Sequence, residues 1–298
     1  MLANIFLISL VAGLGTGLGG LIVILKKPSK RAFGFLMGIT SGVMITLAFL
    51  ELVNKSWEQA GFLTATIGFG TGAVFMFLVD YLTPHIRFGE REGEDVPRIP
   101  AHAEQGQKCR QAEELSSFSH QDSAQPASGR MFQHHHRHGA RTKHQRIVNY
   151  PLFRTGLLIA FGIAIHNIPE GVAVGAGYMH APKFGIFIAL AIALHNIPEG
   201  IATALPLYSS GFGRWKALGT AFLSGLAEPI GAILAVLFLS SFSALIPGAL
   251  AFAGGVMTFI TLDELIPAAR MYGHEHSTAM GIILGSIFVF LLSGLVNI

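Results

Sequence analysis

Residues 164–171 read Ala164-Ile165-His166-Asn167-Ile168-Pro169-Glu170-Gly171, and residues 193–200 read Ala193-Leu194-His195-Asn196-Ile197-Pro198-Glu199-Gly200. The six-residue identity His-Asn-Ile-Pro-Glu-Gly returns 29 positions later, each time inside an apolar stretch. Each copy starts some twelve or thirteen residues into its stretch. At about 1.5 Å per helical residue that is roughly 18–20 Å deep, near the middle of a hydrocarbon core about 30 Å thick. Consecutive spans run in opposite directions, so the copies face each other from antiparallel helices at one depth.

Outward from these two stretches, six more are long and apolar enough to cross a bilayer. The eight are about 3–25, 33–53, 61–83, 153–177, 183–206, 214–240, 245–268 and 277–297. The composition agrees: 51% of the 298 residues are hydrophobic and 12% charged, where a soluble domain carries roughly 25% charged. An ordinary cytosolic enzyme and a disordered chain are both excluded. The expected class is an all-α polytopic membrane protein.

With the N-terminus outside, 18 of the 20 lysines and arginines fall on cytoplasmic connections, and only Lys55 and Lys183 fall outside. That asymmetry is what the positive-inside rule requires. It places both termini outside, in a cell (inner or plasma) membrane with the bilayer as surroundings. It also accounts for the net charge of +3 without nucleic acid as a partner. The first span has no basic residue ahead of it and is read as a retained helix rather than a signal peptide.

Residues 84–150 hold eight of the 13 histidines, His134, His135, His136 and His138 among them, and the single cysteine, Cys109. They read as a disordered, His-rich cytoplasmic loop, either a solvated linker or a weak collector of metal. Residues 1–83 (spans one to three) and 151–298 (spans four to eight) then form one membrane domain.

A fainter repeat joins the ends of the chain. Gly42-Val43-Met44 with Glu51-Leu52 matches Gly255-Val256-Met257 with Glu264-Leu265 at an offset of 213. The stretch 13–19 (GLGTGLG) matches 225–231 (GLAEPIG) at 212. Matched spans run oppositely, which is an inverted repeat. The implied plan is eight transmembrane helices in a 3+2+3 arrangement, a recurring transporter architecture.

The chemistry follows from burial. His166 and Glu170 are four apart, as are His195 and Glu199, so each pair shares a helix face. Pro169 and Pro198 release the carbonyls of Ile165 and Leu194, and freed backbone at membrane depth belongs where it is buried or lines a cavity. A carboxylate there costs roughly 2.5–3.5 kcal/mol. Glu170, Glu199 and Glu228 all lie inside spans with no lysine or arginine near midplane, so they must protonate or bind a cation. Histidine nitrogens beside carboxylate oxygens suit divalent transition metals, zinc first. Two histidines, three glutamates and two asparagines (Asn167, Asn196) suffice for two ions sharing a carboxylate. Glu51, near the outer end of span two, and Asp263 and Glu264, near the inner end of span seven, are either interfacial charges or the two mouths of a pathway.

These motifs resemble the ZIP (Zrt-, Irt-like protein) family of divalent metal transporters along the whole chain outside 84–150. The resemblance implies import of zinc or a related metal into the cytoplasm through a two-metal centre. It assigns as ligands His166, Asn167 and Glu170 of span four, His195, Asn196 and Glu199 of span five, and Glu228 of span six as the bridge. It adds Met44 of span two, which the residues alone leave as core or lipid-facing. Homodimers are also implied. The metal is cargo, and no catalytic cofactor is expected. Iron, manganese, cobalt and cadmium fit the same ligands.

An intramembrane metal-dependent hydrolase is the alternative. It needs an open ligand position and a general base, and the His-Glu-x-x-His signature is absent. A metal sensor without transport is a third reading.

Overall fold

The computed structural model describes residues 1–82 and 148–296. The His134–His138 cluster and Cys109 lie outside the described residues, as does the expected 84–150 loop up to residue 147. Among the described residues the chain is helical with no strand.

Helices α1 (Leu2–Leu25), α2 (Lys30–Thr46) and α3 (Asn54–Leu82) come first. A wide π-helical turn, Leu47–Val53, joins α2 to α3. Ser29 starts α2 by accepting a hydrogen bond from the Ala32 amide. The expected connection between spans two and three is itself helical. Residues Lys30–Leu82 form one run of 53 residues, broken at Gly61, whose φ of 79° and ψ of 171° leave the helical region. Such a positive φ is readily adopted only by glycine.

The central pair is α4 (Tyr150–His180) and α5 (Pro182–Ser209). Asn149 caps α4 through the Leu152 amide, and prolines open both helices, a position where the missing N–H has no intrahelical acceptor to lose. Both helices continue through the internal prolines Pro169 and Pro198. Next come α6 (Arg214–Gly225) and α7 (Ala227–Ser241), parted by a turn at Leu226. Then α8 (Ile246–Ile260), a second π-helical turn (Thr261–Leu265) and α9 (Ile266–Tyr272) form one run, and α10 (Glu275–Val296) completes the described chain. Seven runs among the described residues are long and apolar enough to cross a membrane, counting Lys30–Leu82 as one.

Helices meet through small residues, which lets backbones approach where lipid removes the hydrophobic drive between helices. A methyl group on Gly72 would strike the carbonyl of Phe252, and one on Gly285 that of Ile39; Gly255 closes on Phe69 and Gly42 on Ile282 in the same way. Each pair of contacts exchanges under the offset of 213. At the centre Gly13 and Gly225 each close on the other's carbonyl. The large side chains of the interior, Phe184, Phe187, Ile188 and Ile192 of α5 with Leu47 and Leu52, are almost wholly buried. Leucines and phenylalanines of α1, α3, α7 and α10 point outward, the reverse of a soluble protein.

Candidate metal centre

The repeated motif sits at the middle of α4 and α5, where the helices are most enclosed. Glu170, Asn167, Asn196 and Glu228 have no exposed surface, and His195 and Glu199 have 1% and 3%. Ligand atoms of Glu170, His195 and Glu199 all lie within 4.8 Å of one another. Zinc binds such atoms at about 2.0–2.2 Å, so one ion reaches all three with small side-chain adjustments. His195 Nε2 and Glu170 Oε1, from opposite helices, are 3.3 Å apart. Both oxygens of Glu170, both ring nitrogens of His195 and one oxygen each of Glu199 and Glu228 have no hydrogen-bond partner. Buried polar atoms without partners are costly, and here they converge.

Glu228 reaches the centre because α6 ends at Gly225 and α7 begins at Ala227, which puts Glu228 in the first turn of the new helix. Asn196 Nδ2 donates to Glu228 Oε2 at 2.9 Å and to the Ala12 carbonyl at 3.1 Å. Asn167 Nδ2 donates at 3.0 Å to the carbonyl of Ser224, at the end of α6. Glu170 and Glu199 are acidic neighbours of Glu228. The lysine and arginine of α5 and α4, Lys183 and Arg154, lie in the terminal turns, so histidine is the basic side chain at this depth.

His166 stands apart from the three-residue cage. Its Nε2 lies 3.5 Å from Glu264 Oε1, and Glu264 is also an acidic neighbour of Glu199. The structure thus brings Glu264, expected at the inner end of its span, against the centre. Asp263 is half-buried in the same π-helical turn. Glu51 occupies the first π-helical turn, buried, with Ser293, Lys55 and Glu58 around it. Met44 is fully buried in the apolar core, as is its repeat mate Met257.

Sequence reasoning missed the two wide turns and the unpartnered, fully buried hydroxyls of Thr16 and Thr203. The 213-residue offset relates the two turns, since Glu51 and Glu264 are matched positions, and wide turns of this kind frequently mark functional sites. The hydroxyls gave no signal, because threonine in an apolar helix ordinarily bonds its own backbone.

The sequence matches the family described as ZIP Zinc transporter over residues 1–293. It is 36% identical to the zinc transporter ZupT of Akkermansia muciniphila over 296 residues, covering 96% of this chain and 94% of that protein. It is 35% identical to the zinc transporter ZTP29 of Arabidopsis thaliana (93% and 89% of the two chains). Against the zinc transporter ZupT of Oceanobacillus iheyensis the identity is 36% (94% and 93%). With matched length, seven membrane-capable helical runs among the described residues and a buried Glu/His/Glu cage, this integral membrane protein belongs to the ZIP zinc transporter family.

Proposed function

We propose that the chain imports divalent transition metal ions, zinc first, into the cytoplasm through the His/Glu/Asn centre between α4 and α5. The observation that carries this reading is the cage of Glu170, His195 and Glu199, fully enclosed and short of hydrogen-bond partners. Carboxylates held this deep without lysine or arginine call for a dication, and a passing one serves as well as a resident one. His166, Asn167, Asn196, Glu228 and Met44 complete the proposed ligand set, enough for two ions. Glu51 and the pair Asp263 and Glu264 are its proposed entrance and exit. Iron, manganese, cobalt and cadmium are further cargo of the same donor chemistry.

The same reading gives eight crossings in a 3+2+3 plan, with the 53-residue run counted as two spans that part at Gly61. The contacts that exchange under the 213-residue offset support it. Both termini and Lys55 and Lys183 face outside, and the 84–150 loop faces the cytoplasm of a cell membrane. The outward leucines and phenylalanines face lipid, and pairing of two copies belongs to the same proposal. A transporter is favoured over a hydrolase because prolines within both motifs suit a pathway better than a rigid catalytic site.

Uptake of radioactive zinc into proteoliposomes tests it. His166→Ala and Glu199→Ala should each abolish uptake while the protein is still incorporated. Wild-type uptake by the double variant refutes the assigned site, and lipid or peptide turnover without metal flux would favour the hydrolase.

A further inference from the structure

Helices α1 and α6 lie antiparallel, with Gly13 against Gly225, Gly17 against Phe222 and Gly20 against Leu218. These glycines bring the backbones close, yet the outer side of the crossing stays unfilled. Leu14, Leu18 and Leu21, spaced along one face of α1, form one wall of a groove there. Trp215, Leu218 and Phe222 of α6 form the other. The groove holds about 470 Å³, within the range of ligand sites, about 300–1,000 Å³. A methyl group on Gly219, which also lines it, would meet nothing within 4 Å. Its walls are open to the surroundings, with Trp215 64% and Leu18 51% exposed.

One end of this apolar groove is basic. Arg214 opens α6 and places its guanidinium over the Trp215 ring, 5.4 Å from the centre. Lys216 follows, over Phe212. Lys26 ends α1 at the same end, because the two helices are antiparallel. All three basic side chains are exposed. No aspartate or glutamate occurs in residues 1–50 or 200–227. Among the described residues, neither Arg214 nor Lys216 pairs with a carboxylate. Gly213 caps α6 without a side chain, which leaves the first amides of the helix for an outside acceptor. Tryptophan favours the level where headgroups meet hydrocarbon, so Trp215 sets the basic end among headgroups and the leucine wall among acyl chains.

We propose that this groove binds an anionic phospholipid. One acyl chain lies between the leucines of α1 and the wall of α6, and the phosphate meets Arg214, with Lys216 and Lys26 adding positive charge. The planar guanidinium fork matches phosphate oxygens, and basic pockets between membrane helices hold acidic headgroups in this way. A zwitterionic headgroup brings no net charge to the same end, so the groove discriminates between lipids that share one kind of chain.

Trp215 can report on its own site, since the chain has two tryptophans and the other, Trp57, lies on α3. In a Trp57→Phe background, the purified full chain is placed in phosphatidylcholine vesicles carrying a minor fraction of lipid brominated on its acyl chains. That lipid is either phosphatidylglycerol or phosphatidylcholine, and quenching of Trp215 is compared at equal fractions. Brominated phosphatidylglycerol should bind more tightly, by about 5-fold for each basic residue engaged. Arg214→Gln should remove about 5-fold of that preference. Gly219→Leu and Leu18→Phe fill the groove from its two walls and leave the charges in place. Each should abolish the preference, so a folding defect in one does not decide the matter. Equal quenching by both lipids with the groove unaltered overturns the proposal. So does a preference that survives both filling variants, which marks attraction of acidic lipid to a basic surface with no chain in the groove. Weak quenching by both lipids, restored on dilution to a monomer, seats a second copy there and overturns it as well.

Discussion

Asn196 holds Glu228 in place: one amide nitrogen donates to Glu228 Oε2 at 2.9 Å and to the carbonyl of Ala12 at 3.1 Å. An amide nitrogen carries two hydrogens, so both bonds form together and tie α1, α5 and α7 at one point. Asn196→Leu should therefore release the Glu228 side chain. Zinc affinity is expected to fall about 10–100-fold, the usual effect of losing a group that orients a ligand. Isothermal titration with zinc measures it, and wild-type affinity would mean that Glu228 is fixed by other contacts.

Gly171 and Gly200 set how closely the central helices meet the outer ones. A methyl group on either strikes a backbone carbonyl, that of Glu228 or of Thr16, and a backbone cannot step aside as a flexible side chain can. Gly171→Ala and Gly200→Ala should each destabilise the protein by about 1–3 kcal/mol. Nothing lies within 4 Å of the corresponding point at Gly70 or Gly162, so alanine there should be tolerated. Melting temperatures in detergent compare the two pairs, and equal values would exclude tight crossings.

Glu51 and Glu264 are matched by the repeat but differ in surroundings, since Glu264 lies against His166 and Glu51 lies among Ser293, Lys55 and Glu58. Glu51→Ala should raise the KM for zinc uptake with little change in maximal rate if it stands at the proposed entrance. Glu264→Ala should lower the maximal rate if it stands at the proposed exit. Initial rates across zinc concentrations distinguish these outcomes, and the reverse pattern would invert the proposed direction of travel.

Orientation is checked by labelling. In a background with Cys109→Ser, cysteine at Lys55 or Lys183 should react with an impermeant maleimide added to intact cells. Cysteine at Lys216 should react only after the membrane is opened. Labelling of Lys216→Cys from outside would reverse the topology.

Much of this was readable in the chain because hydrocarbon imposes few solutions: apolar length gives the spans, and buried carboxylates without lysine or arginine point to a cation. The duplicated motif on adjacent helices put His166 with Glu170 and His195 with Glu199 on shared faces, and the cross-helix approach of His195 to Glu170 appears only in the folded chain. The place of Glu264 was not legible. A regular helix counted from Met257 gives no reason for its side chain to reach His166, and the wide turn that changes the count depends on tertiary packing. The break at Leu226 was hidden for a similar reason, since 214–240 is one apolar run whose composition does not mark where a helix restarts. Thr16 was visible as a repeat mate of Glu228, but only burial shows that its hydroxyl lacks a partner.

The wide turns at Leu47–Val53 and Thr261–Leu265 each close their hydrogen bonds over five residues rather than four. Such a loop of helix carries a surplus residue, a local dislocation in the winding. Excising a single residue there would heal the dislocation and rotate everything beyond it by roughly 100°, turning Glu51 or Glu264 away from its neighbours without altering composition. In each half of the chain, the aim of an acid is thus set by one extra peptide unit.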